Sequence, residues 1–230
     1  MATSSSLNAT SFVYSQTRRD FYFESILTTC VDIYRTIIGS AIQVANDENT
    51  IRDGFLRYLQ NMDFKQSHGL KNLKFDKETV ENTGRADIRV LPTKDEYIND
   101  EEYYLIECKR LDSKNLNGIY GLNAEYIKNG ICRFVSGYYS TYYGCNAMFG
   151  FVVESVNNID NELVGGINSL LNTTMTNDHG FNVNAKAINP LQYADFADHY
   201  PYSYMSTHTH ILGSELVLYH LMFDFSNNII

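Results

Sequence analysis

The chain has 230 residues, of which 44% are hydrophobic and 20% charged, a composition typical of a globular protein with a substantial core. The net charge of −9 counts against diffuse attraction to nucleic acid, although a local basic groove remains compatible with it. No run of about 18 apolar residues is present, which excludes a membrane-spanning helix, and no P-loop, G-x-G-x-x-G, G-x-S-x-G or H-E-x-x-H motif supports the corresponding enzyme classes.

The cysteines indicate a reducing compartment. Cys30, Cys108, Cys132 and Cys145 are scattered without a C-x-x-C pair or a zinc-like spacing, so we interpret them as free thiols. The first residues contain no basic segment followed by an apolar stretch, so no signal peptide is expected. These features together predict a cytoplasmic protein.

The first part of the chain has helical patterns. Residues 1–18 are rich in Ser, Thr and Asn and are expected to be flexible. Apolar residues recur every three or four positions over 21–45, which predicts a helix. Asn46-Asp47 supplies candidate N-caps for a second helix that ends near Met62, with Glu48 in its first turn.

Two strands are predicted next. Residues 64–82 are polar and broken by a His-Gly pair, which indicates an irregular strand or hairpin arm. Apolar and charged residues alternate over 84–91, which predicts a half-buried strand. An acidic loop over 92–102 leads to a second strand, 103–111, whose richer apolar content predicts a more central position in the sheet.

The remaining patterns alternate between helix and strand. They predict a helix over 118–138, a buried strand over 148–154, a helix over 160–172 and two late strands near 204–210 and 216–225. Because no repeat or linker interrupts them, the simplest architecture is one α/β domain over 19–230.

Three charged residues stand on the two predicted central strands. Glu107 and Lys109 are two positions apart, so their side chains leave the same face of the sheet. Asp87 lies on the polar face of the preceding strand, and pairing of the strands would bring the two carboxylates together. The structural alternative is a solvated strand face with charges paired across the ladder. The apolar neighbours count against it, because unpaired charges on a central strand are costly.

Two carboxylates beside an ammonium suit a hard divalent cation. Mg²⁺ prefers oxygen ligands and usually keeps several waters beside one or two carboxylates. The bound metal lowers the pKa of a water and neutralises charge on a phosphate, and a neighbouring lysine can orient that water. The three residues therefore predict Mg²⁺-dependent phosphodiester hydrolysis, with Mn²⁺ expected to substitute.

The segments Gly84-Arg85-Ala86-Asp87-Ile88 and Leu105-Ile106-Glu107-Cys108-Lys109 resemble the second and third motifs of the PD-(D/E)XK superfamily of restriction-endonuclease-like nucleases. Ala86 stands where the family name has proline, a position that varies in the superfamily. The resemblance implies a restriction-endonuclease-like mixed β-sheet flanked by helices. Its α-β-β-β-α-β core would span about 48–155, with an N-terminal helix and C-terminal strands as additions.

The resemblance also implies residue roles. Asp87, Glu107 and the Cys108 carbonyl would bind Mg²⁺, and Lys109 would position the attacking water. Glu48 would be the further acidic residue that many members carry on the first core helix. The competing explanation for Glu48 is that an acidic residue in a first turn stabilises the helix dipole without any catalytic role.

Basic and aromatic residues near the motifs are candidate contacts to nucleic acid. Arg85 and Arg89 either contact phosphate or balance nearby carboxylates. In the superfamily, the helix after the third motif often supplies residues to the site or to DNA, and here it offers Tyr126, Lys128 and Arg133. A surface role without nucleic acid is the alternative for this second group.

These features predict a Mg²⁺-dependent nuclease whose partner is nucleic acid, with DNA as the expected substrate. Cutting both strands of a duplex would favour a homodimer. The alternative is a catalytically silent binding or assembly module of the same fold, which the net charge of −9 favours and the complete Asp/Glu/Lys set disfavours. The nuclease also predicts positive potential around a group of basic residues: Lys109, Arg110, Lys114, Lys128 and Arg133.

Overall fold

The computed structural model describes residues 13–40, 42–81, 84–93, 103–139 and 145–230. The strands in these ranges are β1 (Leu73–Glu81), β2 (Gly84–Pro92), β3 (Tyr104–Leu111), β4 (Cys145–Val152), β5 (Met175–Thr176), β6 (Asn182–Val183), β7 (Ala187–Tyr193), β8 (Ser203–Thr209) and β9 (Glu215–Asp224). Seven of them form one sheet in the order β1-β2-β3-β4-β9-β8-β7, and β5 and β6 form a separate hairpin.

The helices cover both faces of this sheet. They are α1 (Val13–Gly39), α2 (Glu48–Leu59), α3 (Met62–Ser67), α4 (Leu122–Tyr126), α5 (Cys132–Val135) and α6 (Gly165–Leu170). A π-helical turn, Ile127–Ile131, joins α4 to α5, and a second one, Ile159–Val164, precedes α6. Side chains of α1 and α2 form the core on one face, and those of α4 to α6 form the core on the other. The predicted α/β class is confirmed.

Strand direction changes along the sheet. The pairs β1-β2 and β2-β3 are antiparallel, β3-β4 and β4-β9 are parallel, and β9-β8 and β8-β7 are antiparallel. A parallel pair needs a crossover connection, and the helical segment from α4 to α5 supplies it between β3 and β4. As a result β3 is covered by helices on both faces, which confirms its predicted central position.

The N-terminal predictions need two corrections. Helix α1 begins at Val13, so it includes the end of the segment 1–18 that was predicted to be flexible; residues 1–12 lie outside the described ranges. Asp47 caps α2 as predicted, since its side chain accepts a hydrogen bond from the Thr50 N–H. The prediction of an irregular strand or hairpin arm over 64–82 holds for β1, which forms an antiparallel arm with β2, and is wrong for residues 64–67, which are helical. Asn61 caps the short helix α3, and β1 then pairs with β2 along its whole length.

The later elements agree better with their patterns. The predicted helix over 118–138 spans 122–135, and the chain leaves it at Gly137, whose φ of 71° suits glycine. The two late strands are confirmed as β8 and β9. The predicted loop 92–102 lies outside the described residues beyond position 93. The sequence patterns missed β5, β6 and β7, because two are very short and β7 is an exposed edge strand.

A buried chain of hydrogen bonds ties α4 to the sheet. The Tyr126 hydroxyl lies 2.7 Å from His220 Nδ1, and the Ser206 hydroxyl lies 2.7 Å from both His220 Nε2 and His208 Nε2. His208 Nδ1 must donate to the Ala185 carbonyl, so with neutral rings each hydrogen in the chain has one acceptor. Burial lowers the pKa of both histidines, that of His208 to about 4, which keeps the rings neutral.

The structure bears on two expectations from the sequence, which concern the cysteines and membrane-spanning helices. Cys30, Cys108 and Cys132 are free and buried, and the side chain of Cys145 lies outside the described set. None of the helices in the described part of the chain combines the length and apolar character needed to cross a membrane.

Candidate active site

The ladder between β2 and β3 ends where the candidate residues begin. The two strands pair at Ile88 and Ile106, and the next position in this register would set Asp87 opposite Glu107. The Asp87 carboxylate instead accepts a hydrogen bond of 2.8 Å from the Cys108 backbone N–H. The side chain therefore takes over the role of a strand partner and is fixed beside β3.

The ammonium of Lys109 lies at the centre of the candidate residues. Its Nζ is 2.9 Å from Glu107 Oε1, 3.0 Å from Glu48 Oε1 and 4.0 Å from Asp87 Oδ2, and it donates to the Cys108 carbonyl at 2.7 Å. The distances to Glu107 and Asp87 set an upper limit of 6.9 Å on the separation of those two carboxylate oxygens. The structure therefore brings together all the residues proposed for metal binding and water positioning.

Glu48 is directed at the sheet and not only at its own helix. It begins α2, so a dipole interaction is present, but its carboxylate also spans two residues of β3. One oxygen bonds to Lys109 Nζ, and the other accepts from the Arg110 backbone N–H at 3.2 Å. We call Glu48, Asp87 and Glu107 the carboxylate cluster.

Arg52 holds Asp87 from the opposite side and was missed in the sequence. The residue is 1% exposed, and its guanidinium donates to Asp87 Oδ1 at 2.9 Å. Further hydrogen bonds reach Asp53 and Glu78 Oε1, the latter at 3.1 Å. A signal was present, because Arg52 follows Glu48 by four positions in α2 and therefore shares its helix face.

Glu78 completes this arrangement from β1. The register pairs its two neighbours, Lys77 and Thr79, with β2 so that Glu78 stands opposite Asp87. Its φ of 47° lies in a region that non-glycine residues rarely adopt. Two carboxylates facing each other across the strands would repel, and Arg52 pairs with both and reduces this repulsion.

Glu107 is buried between a guanidinium and a hydroxyl. Arg133 donates to Glu107 Oε1 at 2.8 Å, and the Tyr139 hydroxyl lies 2.9 Å from Glu107 Oε2. The same hydroxyl is 2.9 Å from the Arg85 carbonyl, so it fills the space where β2 and β3 separate. Tyr139 was also missed, since nothing in its sequence position connects it with Glu107.

Burial and charge act in opposite directions on these groups. Burial raises the pKa of Glu107 to about 7, and the repulsion of Asp87 adds to this, although Lys109 and Arg133 oppose the shift. Burial lowers the pKa of Lys109, but the charges of the carboxylate cluster outweigh burial and raise it above its ordinary value. Lys109 is therefore a firmly protonated cation in this arrangement.

The site opens into a cleft of about 340 Å³. Its lining residues are Glu48, Asp87, Glu107, Lys109, Arg110, Leu122, Glu125, Asn129, Arg133 and Asp178. Acidic residues outnumber basic ones in this lining, so the charges do not support the predicted positive region. Lys114 and Lys128 are absent from the lining, and each is paired with a carboxylate, Glu154 and Glu125 respectively.

Tyr126 occupies a position in the core, which counts against its predicted contact with nucleic acid. Its side chain is fully buried, and its hydroxyl belongs to the chain of hydrogen bonds through His220. Tyr126 faces β9 across the core, whereas Arg133 lines the cleft. The sequence does not distinguish a tyrosine that packs in the core from one that contacts a ligand.

The other candidate contacts each have an acidic partner. Arg133 faces Glu107 inside the site. The remaining pairs are Arg85 with Glu78 at 3.4 Å, Arg89 with Asp76 at 3.0 Å and Lys128 with Glu125 at 2.7 Å. The pairs of Arg85 and Arg89 match the charge-balancing alternative given for those two residues, and a nucleic-acid role for all four basic residues stays a prediction.

Within the described residues, no group of three or more His, Cys, Asp and Glu side chains is arranged to hold a metal ion. Each member of the carboxylate cluster bonds instead to a basic group of the protein. The donor chemistry nevertheless fits Mg²⁺: three carboxylates and the Cys108 carbonyl are hard oxygen ligands that surround one position.

No protein-family model, curated protein or solved structure matches this chain. The resemblance to PD-(D/E)XK nucleases therefore rests on the two motifs around Asp87 and Glu107 and on the elements that carry them. Function has to follow from the chemistry of this cleft.

Proposed function

We propose that the protein is a Mg²⁺-dependent nuclease of the PD-(D/E)XK type that hydrolyses phosphodiester bonds, with DNA as the expected substrate. The observation that carries the proposal is the meeting of the carboxylate cluster, the Cys108 carbonyl and the Lys109 ammonium at an open cleft. Three acidic residues at one nearly buried position are costly to fold and therefore favour a functional explanation.

The order of the surrounding elements supports the same proposal. Between positions 48 and 152, the order is α2, β1, β2, β3, the α4-to-α5 segment and β4, with the short helix α3 inserted after α2; β1 to β3 are antiparallel and β4 is parallel to β3. This is the α-β-β-β-α-β order that the resemblance implies. Helix α1 and strands β7 to β9 would then be additions to a nuclease core.

Each residue of the site has a role in this proposal. Asp87, Glu107 and the Cys108 carbonyl would hold Mg²⁺, which supplies an activated water and neutralises phosphate charge when bound. Lys109 keeps its proton and donates hydrogen bonds to the attacking water or to a phosphate oxygen. Arg52 and Arg133 donate to the two ligand carboxylates and hold them in position.

Cleavage of plasmid and single-stranded DNA in Mg²⁺ or Mn²⁺, compared with EDTA, tests this proposal. We expect Asp87→Asn and Glu107→Gln to lower the rate by roughly 100-fold or more, because each removes a ligand charge. Glu154→Gln is the matched control, since it removes a carboxylate that lies outside the cleft and pairs with Lys114. Cleavage at the wild-type rate by either site variant would contradict the mechanism.

A catalytically silent nuclease-fold module is the second candidate. It is favoured by the observation that every member of the carboxylate cluster already has a cationic partner within the protein. This candidate predicts no cleavage by the wild-type protein with either metal, together with retained binding of oligonucleotides. The same cleavage assay, combined with a fluorescence-anisotropy titration, distinguishes the two.

A further inference from the structure

Lys109 and a divalent ion would need the same oxygen atoms. The three groups expected to bind Mg²⁺, namely Asp87, Glu107 and the Cys108 carbonyl, all lie within 4.0 Å of Lys109 Nζ. Mg²⁺ binds oxygens at about 2.0–2.1 Å in near-octahedral geometry, so an ammonium at this position blocks it sterically and repels it. The Lys109 ammonium and Mg²⁺ therefore cannot occupy this position at the same time.

The surrounding protein keeps the carboxylates in place when the ammonium leaves. Asp87 retains Arg52 and the Cys108 N–H, and Glu107 retains Arg133 and the Tyr139 hydroxyl. Arg52 and Tyr139 bind the oxygens of Asp87 and Glu107 that lie away from Lys109, whereas the Cys108 N–H and Arg133 bind the same oxygens that Lys109 approaches. Withdrawal of Lys109 therefore leaves a preformed set of oxygen ligands.

The stem of Lys109 is also packed closely. Gly130, in the π-helical turn, brings the helix near β3: a Cβ at this position would lie 3.5 Å from Lys109 Cγ and only 2.5 Å from Met148 Cε. The stem is thus held while the ammonium at its end makes its contacts with the carboxylate cluster. Movement of the end of the side chain is enough to open the position.

Building on the proposed function, we propose that Lys109 is an internal counter-ion that closes the metal site until a divalent ion displaces its ammonium. Displacement exchanges one cation for another at the carboxylate cluster and moves Lys109 from its acidic partners into the cleft. Metal binding thereby changes Lys109 from a blocking group into a group that can contact the substrate. This competition lowers the apparent affinity of the site for Mg²⁺.

Mn²⁺ titrations followed by electron paramagnetic resonance, without nucleic acid, test the proposal. We expect Lys109→Met to bind Mn²⁺ at least tenfold more tightly than the wild-type protein. Lys65→Met is the matched control, because Lys65 is 8% exposed, like Lys109 at 9%, but lies in α3 and outside the cleft. Affinities of Lys109→Met and wild type within twofold of each other, or no Mn²⁺ binding by either protein, would overturn the inference.

A second measurement uses the wild-type protein and does not depend on the stability of a variant. Lysine acetylation by a soluble active ester, quantified by mass spectrometry, reports whether each ammonium is released from its partners. Mn²⁺ should accelerate acetylation of Lys109 severalfold and leave that of Lys65 unchanged, and an unchanged rate at Lys109 would reject displacement. Both tests are independent of cleavage: a protein that shows displacement but cuts nothing retains this inference and loses the proposed function.

Discussion

Replacement of Arg52 by methionine removes the guanidinium that donates a hydrogen bond to Asp87 Oδ1. Arg52 is 1% exposed and donates to Asp87, Asp53 and Glu78. Methionine keeps the length of the side chain and its apolar contacts but leaves these acceptors without their donor. The variant therefore isolates the contribution of the guanidinium.

The structure allows the size of the effect to be worked out. Removing one partner of a buried ion pair typically costs about 3–5 kcal/mol. Asp53 and Glu78 have side chains that are 44% and 39% exposed, so water replaces Arg52 for them at little cost. Asp87, at 13% exposed, carries most of the penalty, which sets the expected loss near the low end, at about 3 kcal/mol. For a chain of this size the melting temperature should fall by about 6–12 °C.

Urea denaturation followed by circular dichroism measures this loss. Arg57→Met is the matched control, because Arg57 lies in the same helix with an exposed side chain and should change the stability by less than about 0.5 kcal/mol. In a double-mutant cycle, Asp87→Asn should reduce the cost of Arg52→Met, since the buried charge is then absent. A loss for Arg52→Met no larger than that for Arg57→Met would refute the reasoning.

Three further predictions concern packing and protonation. His208 has a folded pKa of about 4 and an unfolded value near 6.5, so its stabilising contribution, ~3 kcal/mol, is present above pH 6.5 and is lost as pH falls to 4. Denaturation in this range should show this slope, and His208→Asn should reduce it to the part that His220 contributes, since burial lowers the pKa of His220 as well. Gly166→Ala should cost about 1–3 kcal/mol in thermal melts, because its Cβ would lie 2.4 Å from the Leu116 carbonyl oxygen, whereas Gly165→Ala, with its nearest atom at 3.8 Å, should be tolerated. Tyr139→Phe should lose about 1–3 kcal/mol and slow cleavage, because Glu107 and the Arg85 carbonyl lose their shared hydroxyl; unchanged stability and rate would contradict this role.

Local patterns were enough to locate the strands that carry the site. Alternation of apolar and charged residues over β2, and the apolar run of β3, depend only on which side chains face the core. The two-residue spacing of Glu107 and Lys109 determines that they share a face whatever the rest of the fold does. The Asp47 cap is equally local, because its partner is only three residues away. These features could be predicted because the interacting atoms are close in the sequence.

Only the tertiary structure decided which partners the charged groups have. Arg52 and Tyr139 are separated from Asp87 and Glu107 by 35 and 32 positions, and no periodicity connects them. The burial of Tyr126 against His220 likewise depends on a strand that lies 94 residues further along. Hydrogen bonding and burial of a charge depend on distance in space, whereas sequence periodicity reports only the direction in which a side chain leaves its own element. The position of the Lys109 ammonium among its acidic neighbours is therefore a property of the assembled sheet and helices.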